Sequence, residues 1–135
     1  MTANAEPQRT PILLGRAEIR AAHALIAPHV RRTPILEAAS PLVGSPPISL
    51  KLEFLQHTGS FKPRGAFHNL LTRAAPAIGC ATASGGNHGA AVAYAAGKLG
   101  VKARIFVPEI AAPVKIAKIK AYGAQIGRAS CRERV

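Results

Sequence analysis

Strand-like and helix-like segments alternate at short spacing through the second half of the chain, and this alternation restricts the fold more than any other feature. The segments are an apolar run at Ile78–Ala83, an alanine-rich helix at Ala90–Leu99, a strand at Val101–Val107, a helix at Pro113–Ala121 and the start of a strand at Ala124-Gln125. Strands joined by helices pair in parallel, because the helix returns the chain to the same edge of the sheet. The sequence therefore predicts an α/β protein with a mostly parallel sheet and helices on its faces.

The first half of the chain is less regular. Apolar residues at helical spacing predict helices from Arg16 to about Val30 and over Pro63–Arg73. Alternation over Ile48–Phe54 predicts a half-buried strand, and a short helical turn is expected over Glu37–Leu42. Residues 1–11 are polar and contain proline, so we expect them to be poorly ordered.

Composition excludes several classes of protein. The 18 lysines and arginines outnumber the 6 acidic residues, but they are scattered and accompany no nucleic-acid-binding motif. No apolar run is long enough to span a membrane, and no secretory signal is visible, so we expect neither a nucleic-acid nor a membrane partner. The cysteines, Cys80 and Cys131, lack metal-site spacing, which predicts no metal and fits a cytoplasmic protein.

One lysine stands at an unusual place, in Thr58-Gly59-Ser60-Phe61-Lys62-Pro63-Arg64-Gly65-Ala66. Pro63 suits the first turn of a helix, so Lys62 lies at a helix start. The positive end of the helix dipole disfavours an ammonium group there. Lysines of this kind form Schiff bases with aldehydes and ketones. The alternative is a solvated lysine in a turn.

A second motif, Ser84-Gly85-Gly86-Asn87-His88-Gly89, links a predicted strand to a predicted helix. The carboxyl end of a strand followed by a helix start is a common anion site, because glycines admit a close ligand and free N–H groups face it. The motif matches neither the dinucleotide fingerprint nor the P-loop. The alternative is a purely structural helix start with Asn87 as its capping residue.

Together and in this order, the two motifs resemble the serine/threonine dehydratases among the fold-type II pyridoxal-phosphate enzymes, a group that includes serine racemase. The similarity covers nearly the whole chain. It also includes Ile19-Arg20-Ala21-Ala22, Arg32-Thr33-Pro34, Lys51-Leu52-Glu53, Val107-Pro108-Glu109 and Lys120-Ala121-Tyr122-Gly123-Ala124. The resemblance implies a three-layer α/β sandwich with a mostly parallel sheet.

The resemblance also implies roles for individual residues, with pyridoxal 5′-phosphate as the cofactor. Lys62 would hold the cofactor aldehyde as a Schiff base and later move the substrate Cα proton, and Phe61 would pack beside the pyridine ring. Asn87 would bond the 3′ oxygen of the cofactor. The substrate carboxylate would be held by a loop of Ser84, Gly85, Gly86 and His88.

The implied reaction is β-elimination: a β-hydroxy amino acid loses water and then ammonia to give a 2-oxo acid. Racemases that this chain resembles carry a second serine where it has Gly85, and glycine cannot act as an acid, so elimination is favoured over a serine racemase-like reaction. Pro63 stands where related sulfhydrylases and threonine synthases carry aspartate. Serine, threonine and bulkier β-hydroxy amino acids all remain candidate substrates.

The family's cofactor-phosphate loop and ring-nitrogen residue have no counterpart in the chain, so we expect an N-terminal fragment that is inactive alone. Residues 1–77 would belong to the large domain and 78–125 to the start of the small one. We interpret residues 126–135 as a non-native tail, because one reverse translation of them resembles a sequencing-library adapter. We expect the full-length protein to be a cytoplasmic homo-oligomer.

Overall fold

The computed structural model describes residues 14–39, 46–73 and 77–129. Within these ranges the helices and strands are α1 (Arg16–Ile26), β1 (Ile35–Ala38), β2 (Ile48–Lys51), α2 (Lys62–Thr72), β3 (Cys80–Ala83), α3 (Asn87–Lys98), β4 (Ala103–Pro108), α4 (Pro113–Ala121) and β5 (Gln125–Ala129). Short 3₁₀ turns occupy Ala27–His29, Glu53–Leu55 and His57–Gly59.

The second half of the chain forms a parallel sheet in the order β3-β4-β5. Its register places Ile105 of β4 between Thr82 of β3 and Ile126 of β5. Helix α3 connects the first two strands, and α4 connects the second two. The predicted α/β class and the parallel pairing are confirmed.

One face of this sheet forms the larger core. Ile105 and Val107 point from β4 into a buried cluster with Ala93 of α3 and Ile119 of α4. Small alanines let α3 approach the strands closely, because no long side chain separates the two backbones. Among the described residues, both connecting helices pack on this face, and Arg104 is exposed on the other.

The opposite side of α3 packs against α2. Phe67 is fully buried there, in one cluster with Ala66, Ala91, Ala95 and Ile26. Burying a phenylalanine side chain stabilises a fold by about 1.5–3 kcal/mol. This packing fixes α2 relative to α3, and both helices begin in the two motifs found in the sequence.

The prediction for Ile48–Phe54 is wrong in two respects. The strand ends at Lys51, where a 3₁₀ turn follows, and β2 pairs only with β1, in antiparallel orientation. Ile48 and Leu50 are 39% and 43% exposed, and Phe54 is 65% exposed. Alternation requires two different faces but does not specify what covers the apolar one, and nothing in the described residues covers this one.

Two further expectations need correction. Glu37 lies in strand β1 instead of a helical turn, because residues 35–38 pair with β2. Ile78 is 87% exposed and precedes β3, which starts at Cys80. By contrast, α4 has its predicted bounds, and Gly100 caps α3 with a φ of +69°. Residues 1–11 and 40–42 lie outside the described residues, so the expectations placed on them stay predictions.

Residues 126–129, the first part of the interpreted tail, continue strand β5 and pair with β4. The origin of the tail and the domain division near residue 78 stay predictions. No helix in the described part of the chain has both the length and the apolar character needed to cross a bilayer.

Candidate active site

Lys62 is the first residue of α2, as its sequence setting predicts. The chain reaches it through a sharp turn in which Thr58 and Gly59 have φ values of +64° and +76°. Such values are unfavourable for a β-branched residue such as threonine and easy for glycine. Pro63 lies in the first turn of α2 and is buried, so the start of the helix is fixed in place.

The Lys62 side chain is exposed, with Nζ 4.7 Å from the centre of the Phe61 ring. The ring is itself 57% exposed. A cation over an aromatic face gains about 0.5–1 kcal/mol at an exposed site. The structure thus places an accessible amine beside an aromatic surface.

Two hydroxyl groups just before Lys62 are buried without a partner in the described part of the chain. These are Thr58 Oγ1 and Ser60 Oγ, and Ser60 as a whole is only 8% exposed. A buried hydroxyl without a hydrogen bond costs about 1–3 kcal/mol. Unsatisfied polar atoms beside an exposed lysine fit a region that receives a polar ligand.

Beyond Lys62, Arg64 forms two hydrogen bonds with the Glu53 carboxylate, Nε to Oε2 and Nη2 to Oε1, each 2.8 Å long. Thr33 Oγ1 also donates to Glu53 Oε1. The bond from Arg64 is the main cause that lowers the pKa of Glu53, and the same bond raises the pKa of Arg64. Sequence reasoning did not assign a role to either residue, although both stand in segments that carry the family resemblance.

The glycine-rich segment links β3 to α3. The Ser84 N–H donates to the Phe106 carbonyl at 2.9 Å, and Ser84 Oγ accepts from the Gly86 N–H at 3.2 Å. Helix α3 starts at Asn87 after Gly86 as the N-cap, and no side chain caps it. The capping role considered for Asn87 is therefore wrong, and the helix start is free of a side-chain acceptor.

Space around the three glycines of this segment differs. A β-carbon on Gly89 would collide with the Ser84 carbonyl oxygen, and one on Gly85 would lie 3.1 Å from atoms of both Pro108 and Ala111. A β-carbon on Gly86 would meet nothing within 4 Å. The segment is thus packed on the protein side and open over Gly86, where a ligand can approach the backbone.

The two motifs meet through the packing of α2 on α3. Ala66, one helical turn after Lys62, lines the same cleft as His88, which follows Asn87. Asn87 and His88 are exposed. The first turns of both helices therefore border one cleft.

The side of the Lys62 loop facing α3 and α4 is held by aromatic and basic residues. The His57 ring stacks on Tyr94 with ring centres 4.9 Å apart, and Lys118 Nζ donates to the Thr58 carbonyl at 2.9 Å. Burial is the main cause that lowers the pKa of His57, with Arg31 and Lys98 adding positive charge. Neutral imidazole is thereby favoured at this position.

Fold and site together define a class: an α/β protein that presents a lysine amine at one helix start beside a glycine-rich anion site at another. Comparison with known proteins agrees. The profile of the family described as "Pyridoxal-phosphate dependent enzyme" matches residues 26–132. The chain belongs to this family of pyridoxal-phosphate dependent enzymes.

Among curated proteins, the chain is similar to a catabolic L-threonine dehydratase of Staphylococcus aureus, with 39% identity over 130 residues. It is also similar to the phenylserine dehydratase of Ralstonia pickettii, with 40% identity over 103 residues. The first match covers 93% of this chain and 38% of the relative, and the second 72% and 31%. The chain thus spans about two fifths or less of the length of these relatives.

Solved structures give the same picture. A threonine deaminase from the organism abbreviated T.th. superposes with a TM-score of 0.75 at 41% identity, covering 90% of this chain and 39% of that one. A serine racemase from Dictyostelium discoideum superposes with a TM-score of 0.76 at 36% identity, covering 85% and 38%. The predicted fold-type II pyridoxal-phosphate architecture is confirmed.

Proposed function

We propose that this chain is the lysine-bearing part of a dehydratase that converts L-serine, L-threonine or a related β-hydroxy amino acid to a 2-oxo acid and ammonia. The carrying observation is the exposed Lys62 amine at the start of α2, bordering the cleft on which α3 also begins. The dehydratases and deaminase to which the chain is similar support this choice of reaction.

The residues around the cleft fit pyridoxal phosphate. An accessible amine suits its aldehyde, and the exposed Phe61 ring suits its pyridine ring. Asn87 has an exposed amide for the 3′ oxygen, and the unpartnered Ser60 hydroxyl adds a polar atom near Lys62. When bound, the cofactor supplies an electron sink for the substrate Cα.

Each residue then has a definite task. Lys62 Nζ holds the cofactor aldehyde covalently and takes the proton from the substrate Cα. The backbone of Ser84, Gly85 and Gly86, with the His88 side chain, binds the substrate carboxylate at the uncapped start of α3. Loss of the Cα proton and the β-hydroxyl releases water, and hydrolysis of the resulting enamine gives the 2-oxo acid and ammonia.

Crowding at Gly85 supports elimination over racemisation. Racemisation needs an acid on the second face of the substrate, and glycine has no side chain to supply one. Pro108 and Ala111 lie where a side chain at this position would have to fit. A serine racemase-like activity is the second candidate, because serine racemases are among the structures to which the chain is similar.

Two sheets support the proposed domain division. The β1-β2 pair precedes residue 78, and the β3-β4-β5 sheet follows it. We assign the first to a large domain and the second to a small one. Homo-oligomerisation of the full-length protein and a cytoplasmic location stay predictions.

Covalent capture tests the role of Lys62 directly. The 135-residue chain is incubated with pyridoxal phosphate, reduced with borohydride, digested and mapped by mass spectrometry. We expect the modification on Lys62, and its loss in Lys62→Ala. Lys51→Ala, which removes an exposed lysine near the same loop, is the matched control. Equal labelling of Lys62 and of the other exposed lysines would contradict the assignment and favour an inactive fragment.

Turnover is tested in a chimera in which residues 14–129 replace the matching segment of the S. aureus dehydratase. We expect 2-oxo acid from L-threonine or L-serine, and none from the Lys62→Ala chimera. D-Serine as the main product would instead support the racemase alternative.

A further inference from the structure

The loop that carries Lys62 is closed by a charged pair outside the proposed chemistry. Glu53 starts a 3₁₀ turn before the loop, and Arg64 lies in the first turn of α2 after it. Their side chains are only 18% and 23% exposed, and two hydrogen bonds of 2.8 Å join them. A two-bond arginine–carboxylate pair in such a setting holds its partners in a defined geometry, unlike a solvated surface pair.

Both ends of the loop are also tied to the same extended stretch, residues 31–33. Thr33 donates to the Glu53 carboxylate, and the Arg31 carbonyl accepts from Arg64 Nη2 at 3.3 Å. That carbonyl also accepts from Gln56 Nε2 at 2.8 Å, and Gln56 Oε1 accepts from the Arg31 N–H at 2.9 Å. The loop is therefore anchored before and after its tight turn.

Between these anchors the backbone is strained. Thr58 has a φ of +64°, and the hydroxyls of Thr58 and Ser60 are buried without partners in the described structure. Each of these features costs free energy, so the conformation persists only if the surrounding contacts enforce it. The Glu53–Arg64 pair is the contact that joins the two ends of the strained loop.

We propose that Glu53 and Arg64 are positioning residues, whose two-bond pair holds the loop of residues 54–61 in its strained form and so places Lys62 for covalent chemistry. The link to chemistry rests on the proposed function, whereas the loop conformation can be measured without it. A pair that only adds stability would act differently, because its loss would lower the unfolding free energy without affecting the loop in particular.

Amide hydrogen exchange measures the loop without any cofactor. Glu53→Gln, Arg64→Gln and the double variant are compared with wild type, with Arg73→Gln as the matched control. Arg73 is exposed at the end of the same helix. We expect exchange over residues 54–61 to rise by about tenfold or more, with α3 unchanged, and the double variant to resemble each single one, because both remove the same pair.

The variants differ in severity, which protects the test. Glu53→Gln leaves a partly buried arginine without its counter-charge and can destabilise the chain as a whole. Arg64→Lys keeps the charge but loses the planar two-bond geometry, so it isolates the positioning effect. If Arg64→Gln fails to fold, we expect Arg64→Lys to show the same local rise in exchange.

Pyridoxal-phosphate capture provides the second measurement. We expect the capture rate at Lys62, per folded molecule, to fall about tenfold or more in Arg64→Lys, since small misplacements of a reacting group reduce rates strongly. Wild-type rates in the variants, or exchange that rises uniformly over the chain, would overturn the proposal. If wild type itself captures no cofactor at Lys62, the proposed function fails, and the exchange result alone decides whether the pair holds the loop.

Discussion

The α-carbon of Gly89 packs directly against the Ser84 carbonyl oxygen, with no room between them for a β-carbon. Ser84 ends the β3 side of the glycine-rich segment, and Gly89 lies in the first turn of α3. This contact therefore sets the distance between the strand end and the helix start that border the cleft. A larger residue in place of Gly89 would have to move the segment.

Gly89→Ala is accordingly expected to destabilise the protein. Forcing one methyl group into a packed site costs about 1–3 kcal/mol, and denaturant unfolding followed by circular dichroism measures it. Gly65→Ala is the control, since Gly65 is also helical but has open space around it. That variant should gain about 0.5–1 kcal/mol from helix propensity. A stabilised Gly89→Ala variant would refute the close packing.

Acidification is expected to weaken the fold through Glu53. The hydrogen bond from Arg64 holds the pKa of Glu53 below its ordinary value of 4.5, so the folded state binds the carboxylate's proton less readily than the unfolded chain. This contribution is complete above pH 4.5 and is lost as the pH falls through the lower folded-state pKa. In Glu53→Gln the unfolding free energy should be lower near neutral pH and should lose this part of its acid dependence, whereas Glu37→Gln, at an exposed carboxylate, serves as the control.

Helix positions were the part of this fold that local sequence patterns predicted best. Helix α4 begins at Pro113 and ends at Ala121 as expected, because proline and the apolar spacing both act within a few residues. Strand β1 was missed, since residues 35–38 form a strand only by pairing with β2 across a gap in sequence. Local patterns do not contain that information.

The site divides in the same way. Lys62 and the Gly86-Asn87 helix start could be placed from sequence, because each depends on its immediate neighbours. The contact between Glu53 and Arg64 could not, because it depends on how the intervening loop turns at Thr58. A threonine with positive φ is unfavourable, so no propensity argument predicts such a turn.

His57 gives a second pH effect, in a different range. Burial against Tyr94 lowers the pKa of His57 below its ordinary value of 6.5, so below pH 6.5 the unfolded chain takes up a proton that the folded chain resists. The stability associated with neutral His57 is therefore full above pH 6.5 and lost as the pH falls through the folded-state pKa. NMR titration of the imidazole should give a midpoint below 6.5, and a midpoint above that value would contradict the buried, stacked geometry.

Cys80 is expected to react slowly in the folded chain. Burial raises the pKa of its thiol, and the thiolate is the reactive form. At about pH 8, iodoacetamide should modify Cys80 about tenfold more slowly in the folded protein than in urea, as followed by peptide mapping. A synthetic peptide of residues 77–83 supplies the intrinsic rate in both solvents. Equal rates in the folded and unfolded protein would show that the first residue of β3 is open to reagents.

Gly85 provides the most direct link between packing and reaction outcome. Its neighbours Pro108 and Ala111 leave 3.1 Å for a β-carbon, whereas Gly86 is open. Gly85→Ala should therefore cost about 1–3 kcal/mol of unfolding free energy, and Gly86→Ala should stay within about 0.5 kcal/mol of wild type.

In the chimera with the S. aureus dehydratase, Gly85→Ser adds a hydroxyl that can donate a proton to the second face of the substrate. We expect D-serine to form from L-serine in this variant and not in the parent or in Gly85→Ala, as measured by chiral chromatography beside the 2-oxo acid. The alanine variant separates crowding from acid chemistry, because it has the β-carbon without the hydroxyl. D-Serine in the parent chimera would show that the absence of a side chain at Gly85 does not restrict the reaction to elimination.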